Sequence, residues 1–405
     1  MRRIERSGQD DTPPGISRTG RRHRWRRLAV MALAPLLALS ATGATAQGVW
    51  LTLPSLPTAR LGHAAATAPC PGGLKQACVY VFGGRASDGA LRNEFEAYSP
   101  ATNAWATLPP LPTPRDGLAG RGAPCPGGLQ DGCVYAIGGA IGTVATPTSV
   151  PTVEAYSPAT GAWATLQNLP TARRNLAAAK APCPPGFGLR GTCVYAIGGR
   201  DSVGAALHTV EAYSPATDTW VTLQHLTVAR ADLGAVGAPC PPGLGLRGGC
   251  VYAIDGTGDG SVEVYSPVTN AWVTLRPLPV SHGDRPAVVA APCPNGLPGG
   301  CVYVAGGSGA LRLVHAYSPV TGAWITLPET PTPHRRTAGT VAPCPKESTS
   351  PCVYVVAGSP DSPTAAGGAT EAFAVERGPE RPGGPRDQDG GNFSGGPNGS
   401  AGPRG

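Results

Sequence analysis

The sequence predicts an all-β fold, a ring of six similar four-stranded sheets known as a six-bladed β-propeller. Six tryptophans recur at intervals of 52 to 58 residues, a period typical of propeller blades and solenoids. Gly 58 and Pro 46 make up about a quarter of the 405 residues without a collagen-like period, which suits short strands joined by tight turns. A phrase led by cysteine, "CVYAIGG" at 133–139 and 193–199, has near-copies that begin at Cys78, Cys250, Cys301 and Cys352.

Each repeat unit predicts four strands. A run of small residues ends in "APC", "CVYxxGG" follows, and after a variable loop come "VEAYSPxTxAWxTL" and "LPxxR". The first strand consists of tiny side chains, as in "AAATA" (64–68) and "AVVAA" (287–291), although Ala and Gly have low β propensity. Crowding near the axis of a ring explains this choice, because only small residues fit there. We therefore expect the first strand of each blade to be innermost.

The two ends of the repeat region complement each other. The segment "WLTLPSLP" (50–57) precedes any first strand, whereas the last unit runs through Phe373 without a tryptophan strand. Pairing the Trp50 strand into the sixth blade completes six blades and covers an edge that an open ring would expose. We expect the ring to close in this way.

The repeated letters resemble those of the Kelch-repeat family. The resemblance rests on the paired glycines after an apolar strand, the tyrosine about fifteen residues on, the tryptophan seven residues later, and "LPxxR", over roughly residues 48–376. The paired glycines are replaced by Asp255-Gly256 and Ala357-Gly358 in the fourth and sixth units. The resemblance implies a Kelch-type propeller of four-stranded antiparallel blades, whose variable loop face commonly holds peptides or protein loops.

Both chain ends are predicted to lie outside the propeller, which is assigned to residues 47–376. Residues 1–46 combine nine arginines, the apolar run "LAVMALAPLLAL" (28–39) and Ala44-Thr45-Ala46, which together are typical of a secretory signal peptide cleaved after Ala46. An uncleaved anchor is the alternative, but a span needs ~20 apolar residues. Residues 377–405, rich in Gly and Pro, are predicted to be a disordered tail, with a cell-wall tether as the alternative. We expect a secreted or otherwise extracytoplasmic protein without a membrane span in the mature chain.

Twelve cysteines, an even number in an exported chain, predict disulfides rather than thiols or metal ligands. Each unit places two at the ends of a hairpin turn, where cross-strand neighbours lie within bonding reach. The six expected local bridges are Cys70–Cys78, Cys125–Cys133, Cys183–Cys193, Cys240–Cys250, Cys293–Cys301 and Cys344–Cys352.

Charge and motifs exclude several function classes. Without residues 1–46, Lys and Arg fall from 32 to 23 and Asp and Glu from 25 to 22, so the formal charge of about +1 does not predict a nucleic-acid partner. Two G-x-G-x-x-G matches, beginning at Gly186 and Gly243, lie inside cysteine hairpins and predict turns. Asp255 and Asp259 in "DGTGDG" could bind calcium, although a tight turn is favoured.

The sequence gives little support for an enzyme or for a sugar-binding site built from aromatic side chains. Every cysteine and tyrosine occupies a repeat position, and no nucleophile, P-loop or metal motif occurs, so we predict a non-enzymatic protein without cofactor or metal. The aromatic residues outside the repeat positions and after residue 46 are Phe95, Phe187 and Phe393, too few for a sugar platform. A secreted propeller that binds or acts on carbohydrate, of the galactose-oxidase or epimerase kind, stays open, as does a purely structural surface module.

The loops that enter the first strand and those that join the second and third strands should emerge on one face, which we call the variable face. Arg60, Arg115, Arg173 and Arg230 recur at one repeat position there, as do Glu96, Glu154, Glu211, Glu263 and Glu371 at another. Buried Arg–Glu pairing in each blade is favoured over a ring of anion-binding arginines.

Four other arginines of this face do not follow the repeat, namely Arg174, Arg285, Arg335 and Arg336. Because arginine binds carboxylates bidentately, these four are the candidate ligand-binding residues. The expected partner is a protein, a peptide or another acidic ligand, such as a uronic-acid sugar. The predicted function is an exported, non-enzymatic binding scaffold, expected to be a monomer.

Overall fold

The structure, a computed structural model, describes residues 48–375, apart from 74–75, 129–131, 295–298, 309–310, 346–349 and 361–364. The predicted signal peptide and the predicted tail lie outside the described residues. No helix in the described part of the chain is long and apolar enough to cross a membrane.

Six four-stranded antiparallel sheets form a ring, so the prediction of a six-bladed propeller is confirmed. The innermost strands, which line the axis, are β2 (Ala64–Pro69), β6 (Ala119–Ala123), β12 (Ala177–Pro182), β16 (Gly234–Pro239), β20 (Ala287–Pro292) and β24 (Ala338–Pro343). The second strands are β3 (Ala77–Phe82), β7 (Cys133–Ile137), β13 (Thr192–Ile197), β17 (Gly249–Ile254), β21 (Gly300–Ala305) and β25 (Pro351–Gly358).

The third strands are β4 (Phe95–Ser99), β10 (Val153–Ser157), β14 (Val210–Ser214), β18 (Val262–Ser266), β22 (Val314–Ser318) and β26 (Gly367–Ala374). The outer strands are β5 (Ala104–Leu108), β11 (Ala162–Thr165), β15 (Thr219–Thr222), β19 (Ala271–Leu275), β23 (Ala323–Leu327) and, from the start of the chain, β1 (Val49–Leu53). A further hairpin, β8 (Ala140–Gly142) and β9 (Pro147–Ser149), extends the variable loop of the second blade.

Small residues on the inner strands permit close approach between blades. A Cβ added to Gly122 would lie 1.9 Å from the carbonyl oxygen of Thr67 on the preceding blade. A Cβ added to Gly237 would likewise lie 1.9 Å from the carbonyl oxygen of Lys180. The explanation of the small side chains by crowding at the axis is therefore correct.

The core lies between neighbouring blades and is built by repeated aromatic residues. Phe95 of the first blade packs against Tyr156 and Trp163 of the second, with ring centroids 4.7 and 4.9 Å apart. Each repeat tryptophan donates its Nε1 hydrogen to a carbonyl of the preceding blade, as Trp105 does to Pro54 at 2.8 Å. The buried rings supply apolar contact area, and the indole bonds connect adjacent blades.

The N-terminal strand closes the ring as expected. β1 pairs antiparallel with β26, and Trp50 lies opposite Phe373. The Trp50 indole then donates to the Pro328 carbonyl at 2.8 Å, which repeats in the sixth blade the bond seen between the others.

All six predicted disulfides are present, and each joins the first and second strands of one blade, with Cα atoms 4.8 to 4.9 Å apart. Beside each disulfide, the tyrosine of "CVY" donates to a proline carbonyl on the inner strand, as Tyr195 does to Pro182 at 2.5 Å. Such bridges are typical of an oxidising, extracytoplasmic environment.

Candidate functional site at the mouth of the channel

The repeated arginines are structural. Four ion pairs lie inside the blades and have side chains at most 2% exposed, namely Arg60–Glu96, Arg115–Glu154, Arg173–Glu211 and Arg230–Glu263. Because no solvent reaches them, these arginines cannot meet a ligand at the surface. The expected Arg–Glu pairing is confirmed in these four blades.

Histidine replaces the arginine of this pair in the last two blades, and a second histidine replaces the glutamate in the fifth. His334 lies 3.0 Å from Glu371 in the sixth blade. In the fifth blade, two buried imidazoles meet, with His282 Nε2 2.8 Å from His315 Nδ1. Burial, followed by the charge of His282, lowers the pKa of His315 to about 4, so this pair is neutral near pH 7.

One residue from each blade forms a ring around the axial opening on the variable face, which we call the mouth ring. Its members all have positive φ, between 50° and 65°, and are Gly62, Gly117, Asn175, Asp232, Arg285 and Arg336. Backbone N–H groups donate to the carbonyl of the preceding member, for example from Asn175 to Gly117 at 2.7 Å and from Arg285 to Asp232 at 2.9 Å. These bonds connect the backbones of neighbouring blades around the axis.

Arg285, one of the four candidates, crosses the mouth. From the fifth blade, its guanidinium donates to the carbonyl of Gly62 in the first blade at 3.4 Å and to that of Leu118 in the second at 3.0 Å. Arg285 is only 7% exposed. It therefore closes the channel from above, a position that its place in the repeat did not predict.

The structure brings Arg335 and Arg336 together around one carboxylate. Arg335 donates from Nε and Nη2 to Asp284 at 3.4 and 3.3 Å. Arg336 has its Nε 3.9 Å from the same carboxylate, beyond hydrogen-bonding distance, and this nitrogen is buried without a hydrogen-bond partner. Two guanidinium groups thus share one aspartate.

Arg174 belongs to the third blade and contacts the variable loops of the second and third blades. Its Nη1 donates to Ser149 Oγ at 3.0 Å and to the Asp201 carbonyl at 2.7 Å, and its backbone pairs with Arg200. Within the described residues, no carboxylate forms an ion pair with Arg174. Its charge is therefore compensated only by neutral oxygens.

Two further arginines of the mouth were missed from the sequence. Arg85 contacts Asp116 at 2.7 Å, and Arg200 contacts Asp232 at 3.3 Å. Each directly follows the paired glycines of its blade, which is the signal that could have identified it. Burial raises the pKa of Asp232, although Arg285 and Arg200 oppose that shift.

We refer to these nine residues together as the mouth cluster. It comprises Arg85, Asp116, Arg174, Arg200, Asp232, Asp284, Arg285, Arg335 and Arg336, six arginines against three aspartates. Asp88 and Asp201 lie farther out at loop tips, where their carboxylates accept backbone N–H groups. The mouth cluster therefore carries a surplus of positive charge at the axis.

A groove of about 680 Å³ adjoins this cluster between the loops of the first two blades. Leu91 and Val144 contribute apolar surface to it, and Arg85 and Asp88 are its charged lining residues. Val144 is 68% exposed, and Val203, on the neighbouring loop, is 87% exposed. Apolar contacts next to fixed charges suit a peptide better than a small polar molecule.

The other sequence candidates have structural roles. Asp255 accepts from the backbone N–H groups of His282 and Gly283 at 2.6 and 2.8 Å, and Asp259 accepts from the Ser261 backbone at 2.9 Å. No cluster of three or more potential metal ligands occurs among the described residues. Phe95 is fully buried, Phe187 lies in a cysteine hairpin on the opposite face, and Phe393 is outside the described residues.

Comparison with known proteins identifies Kelch motifs at residues 78–112, 121–170 and 181–227. The chain is 31% identical over 182 residues to the Kelch-like protein terF of Aspergillus terreus, across 42% of this chain and 35% of that protein. It is 29% identical over 108 residues to the Kelch-like ECH-associated protein 1B of Danio rerio, across 26% of this chain and 15% of that protein. The matched regions thus span about a third or less of these curated relatives.

A solved structure, that of YjhT, matches 81% of this chain and 98% of its own, with a TM-score of 0.55 and 16% identity, which shows a shared fold. The chain thus carries Kelch motifs and is similar to Kelch proteins over part of its length.

Proposed function

We propose that this protein is an exported, non-enzymatic scaffold that binds an acidic peptide or an acidic protein segment at the mouth cluster. The observation that carries the proposal is the surplus of arginine there, above all Arg174 and Arg336, which have no carboxylate within hydrogen-bonding distance among the described residues. An arginine that lacks such a partner can donate bidentately to a ligand carboxylate.

The neighbouring groove supports a peptide rather than a free acid. An extended segment could place acidic side chains on the cluster and apolar ones against Leu91 and Val144. The Danio rerio relative is named for its association with another protein, which agrees with a binding role for this fold. Four members of the cluster, Arg174, Arg285, Arg335 and Arg336, remain the proposed ligand residues, with Arg285 acting mainly as the plug of the channel.

A matched pair of variants tests this proposal. Hexaglutamate is the probe, and hexaglutamine is its neutral counterpart. R174S/R336S removes two charges from the mouth, whereas R190S/R247S removes two exposed charges from the cysteine hairpins on the opposite face. We expect hexaglutamate to bind the parent and the control alike, to bind R174S/R336S at least tenfold more weakly, and to lose affinity as salt rises.

Calorimetric titration measures the affinities, and thermal unfolding verifies that both variants are folded. Equal weakening in the two double variants would show that net charge alone attracts the peptide. Absence of binding to the parent at millimolar hexaglutamate would refute the proposal.

Export is the second part of the proposed function. Six disulfides and the Arg-rich, then apolar, N-terminal sequence support secretion by the general secretory route, with cleavage after Ala46. Mass spectrometry of the exported protein should give an N-terminus at Gln47, and a mature protein that keeps residues 28–39 would contradict the cleavage.

A further inference from the structure

Two cations interrupt the small residues of the inner strands. Arg121 on β6 and Lys180 on β12 are the charged members of the six inner strands, all of which the structure describes. Every other position of these strands holds Ala, Gly, Val, Thr or Pro. Nothing in the blade pattern requires a charge here.

The two side chains face each other across a blade interface. Alternate inner-strand residues face opposite neighbours, since Ala64 and Ala66 pack with the second blade whereas Ala65 packs with the sixth. By the same alternation, Arg121 faces the third blade and Lys180 faces back toward the second. The pKa of Lys180 is consistent with this proximity. Burial lowers it most, and the positive charge of Arg121 lowers it further.

Neither cation has a counter-charge within the part of the chain that the structure describes. Among the described residues, no hydrogen bond or ion pair is made by the side chain of Arg121 or of Lys180. Burial lowers the pKa of Arg121 to about 10. Lys180 is exposed, and Arg121 is half-buried. Two like charges held this close repel each other, and an anion bound near both would relieve that repulsion.

A cavity of about 80 Å³ on the axis lies between these cations and the mouth. Arg285 closes it above and Arg121 lines its lower part, and none of the lining residues is Asp or Glu. Its volume has room for several waters or for one small anion. Arg285 uses two of its five donor hydrogens on Gly62 and Leu118, so the remaining donors are available.

His63, on the cavity wall, offers an acceptor. Its Nε2 lies 2.9 Å from the Val356 carbonyl and must donate to it, which leaves Nδ1 as an acceptor. This Nδ1 is buried without a hydrogen-bond partner. An anion that satisfied all of these groups would accept hydrogen bonds from the guanidinium groups and donate one hydrogen bond from a hydroxyl to His63 Nδ1.

We propose that this cavity binds a small oxyanion that carries a proton, with hydrogen phosphate as its simplest example. Arg121 and Arg285 donate to its oxygens, His63 Nδ1 accepts its hydroxyl, and Lys180 attracts it through the lower opening. This site lies beneath the peptide site of the mouth and shares Arg285 with it, but the proposal does not depend on peptide binding.

Thermal unfolding of the full chain with its disulfides intact tests the site, in low millimolar phosphate, sulfate or chloride at equal ionic strength and pH. A ligand that binds only the folded state raises Tm as its concentration increases. Sulfate is the stringent control, because it stabilises proteins generally but carries no proton at neutral pH. We expect phosphate to raise the parent's Tm more than sulfate does, and R121Q/K180Q to lose that difference.

Two further variants complete the experiment. R174S/R336S and the exposed control R190S/R247S should both keep the phosphate response, and phosphorus NMR should show phosphate line broadening with the parent but not with R121Q/K180Q. A full phosphate response in R121Q/K180Q, or none in the parent, would overturn the site. Loss of the response in R174S/R336S would also overturn it, because phosphate would then bind at the mouth. Equal responses to phosphate and sulfate would refute the role of His63.

Discussion

At the scale of single residues, the mouth ring shows where this chain departs from favourable backbone geometry. Four of its six members are Gly, Asn or Asp, which tolerate positive φ, but Arg285 and Arg336 have φ of 53° and 51°. A left-handed conformation costs an ordinary residue ~1–2 kcal/mol. Arg285 offsets this with two hydrogen bonds across the axis, whereas Arg336 has a buried Nε without a partner. Strain of this kind is concentrated at functional sites.

Replacing Arg336 by glycine should therefore raise stability while it removes a proposed ligand residue. We expect R336G to increase the free energy of unfolding by about 1 kcal/mol, because glycine adopts positive φ without strain. Urea denaturation measures the change. R335G, at the adjacent position, which does not have positive φ, is the matched control and should be neutral or destabilising. A loss of stability in R336G would show that this arginine is needed by the fold.

At the scale of elements, two kinds of contact join the first two strands of each blade, and other contacts join neighbouring blades. A disulfide and a Tyr–Pro hydrogen bond join the first two strands of every blade, and tryptophan bonds connect the blades. The distance to the next blade, rather than β propensity, limits the size of the side chains on the inner strands. Gly122 and Gly237 mark the closest approaches, where a methyl group would meet a carbonyl oxygen.

Adding that methyl group should separate two blades. We expect G122A and G237A each to lower the free energy of unfolding by about 2 kcal/mol or more, since over-packing against backbone cannot be relieved by a side-chain rotation. G132A is the control, because its added Cβ has its nearest neighbour at 3.6 Å. Denaturant midpoints with unchanged slopes measure these effects. If G122A were as stable as G132A, the close approach would not limit the inner strands.

At the scale of the whole molecule, closure depends on one strand. β1 supplies the outer edge of the sixth blade, and its Trp50 bonds to Pro328 of the fifth. Without it, β26 would present unpaired backbone groups along its length, and such edges pair with other chains. The strand β1, which leads into the first blade, therefore ties the start of the ring to the last blade through pairs such as Trp50 and Phe373.

Deleting residues 48–53 should produce a species that associates through β26. We expect a Tm several degrees lower and a concentration-dependent oligomer in size-exclusion chromatography with light scattering. W50F, which keeps the strand and loses the indole hydrogen bond, should keep the parent's oligomeric state with a smaller loss of stability. A monomeric deletion variant with the parent's Tm would show that β1 does not secure the ring.

Most of the fold could be read from the sequence because its causes are local and occur six times. The features that predict the fold act within one blade or between adjacent blades, namely the tryptophan period, the small inner strands and the cysteine pairs. Because each feature occurs six times, the repeat is recognisable although Asp255 and Ala357 replace glycines of the pattern. Both of these residues keep the positive φ of the glycine they replace. The pairing of the closing strand could also be predicted, by counting the strands along the chain.

The candidate site depended on contacts between blades that the repeat does not encode. Arg285 and Arg336 look alike in the sequence, yet one crosses the axis to hydrogen-bond with two other blades and the other has no hydrogen-bond partner at Nε. Arg121 and Lys180 lie 59 residues apart by number and share a charge, and only the packing of β6 beside β12 places them together. The twist and closure of the ring decide which side chains meet at the axis, and those contacts required the tertiary structure.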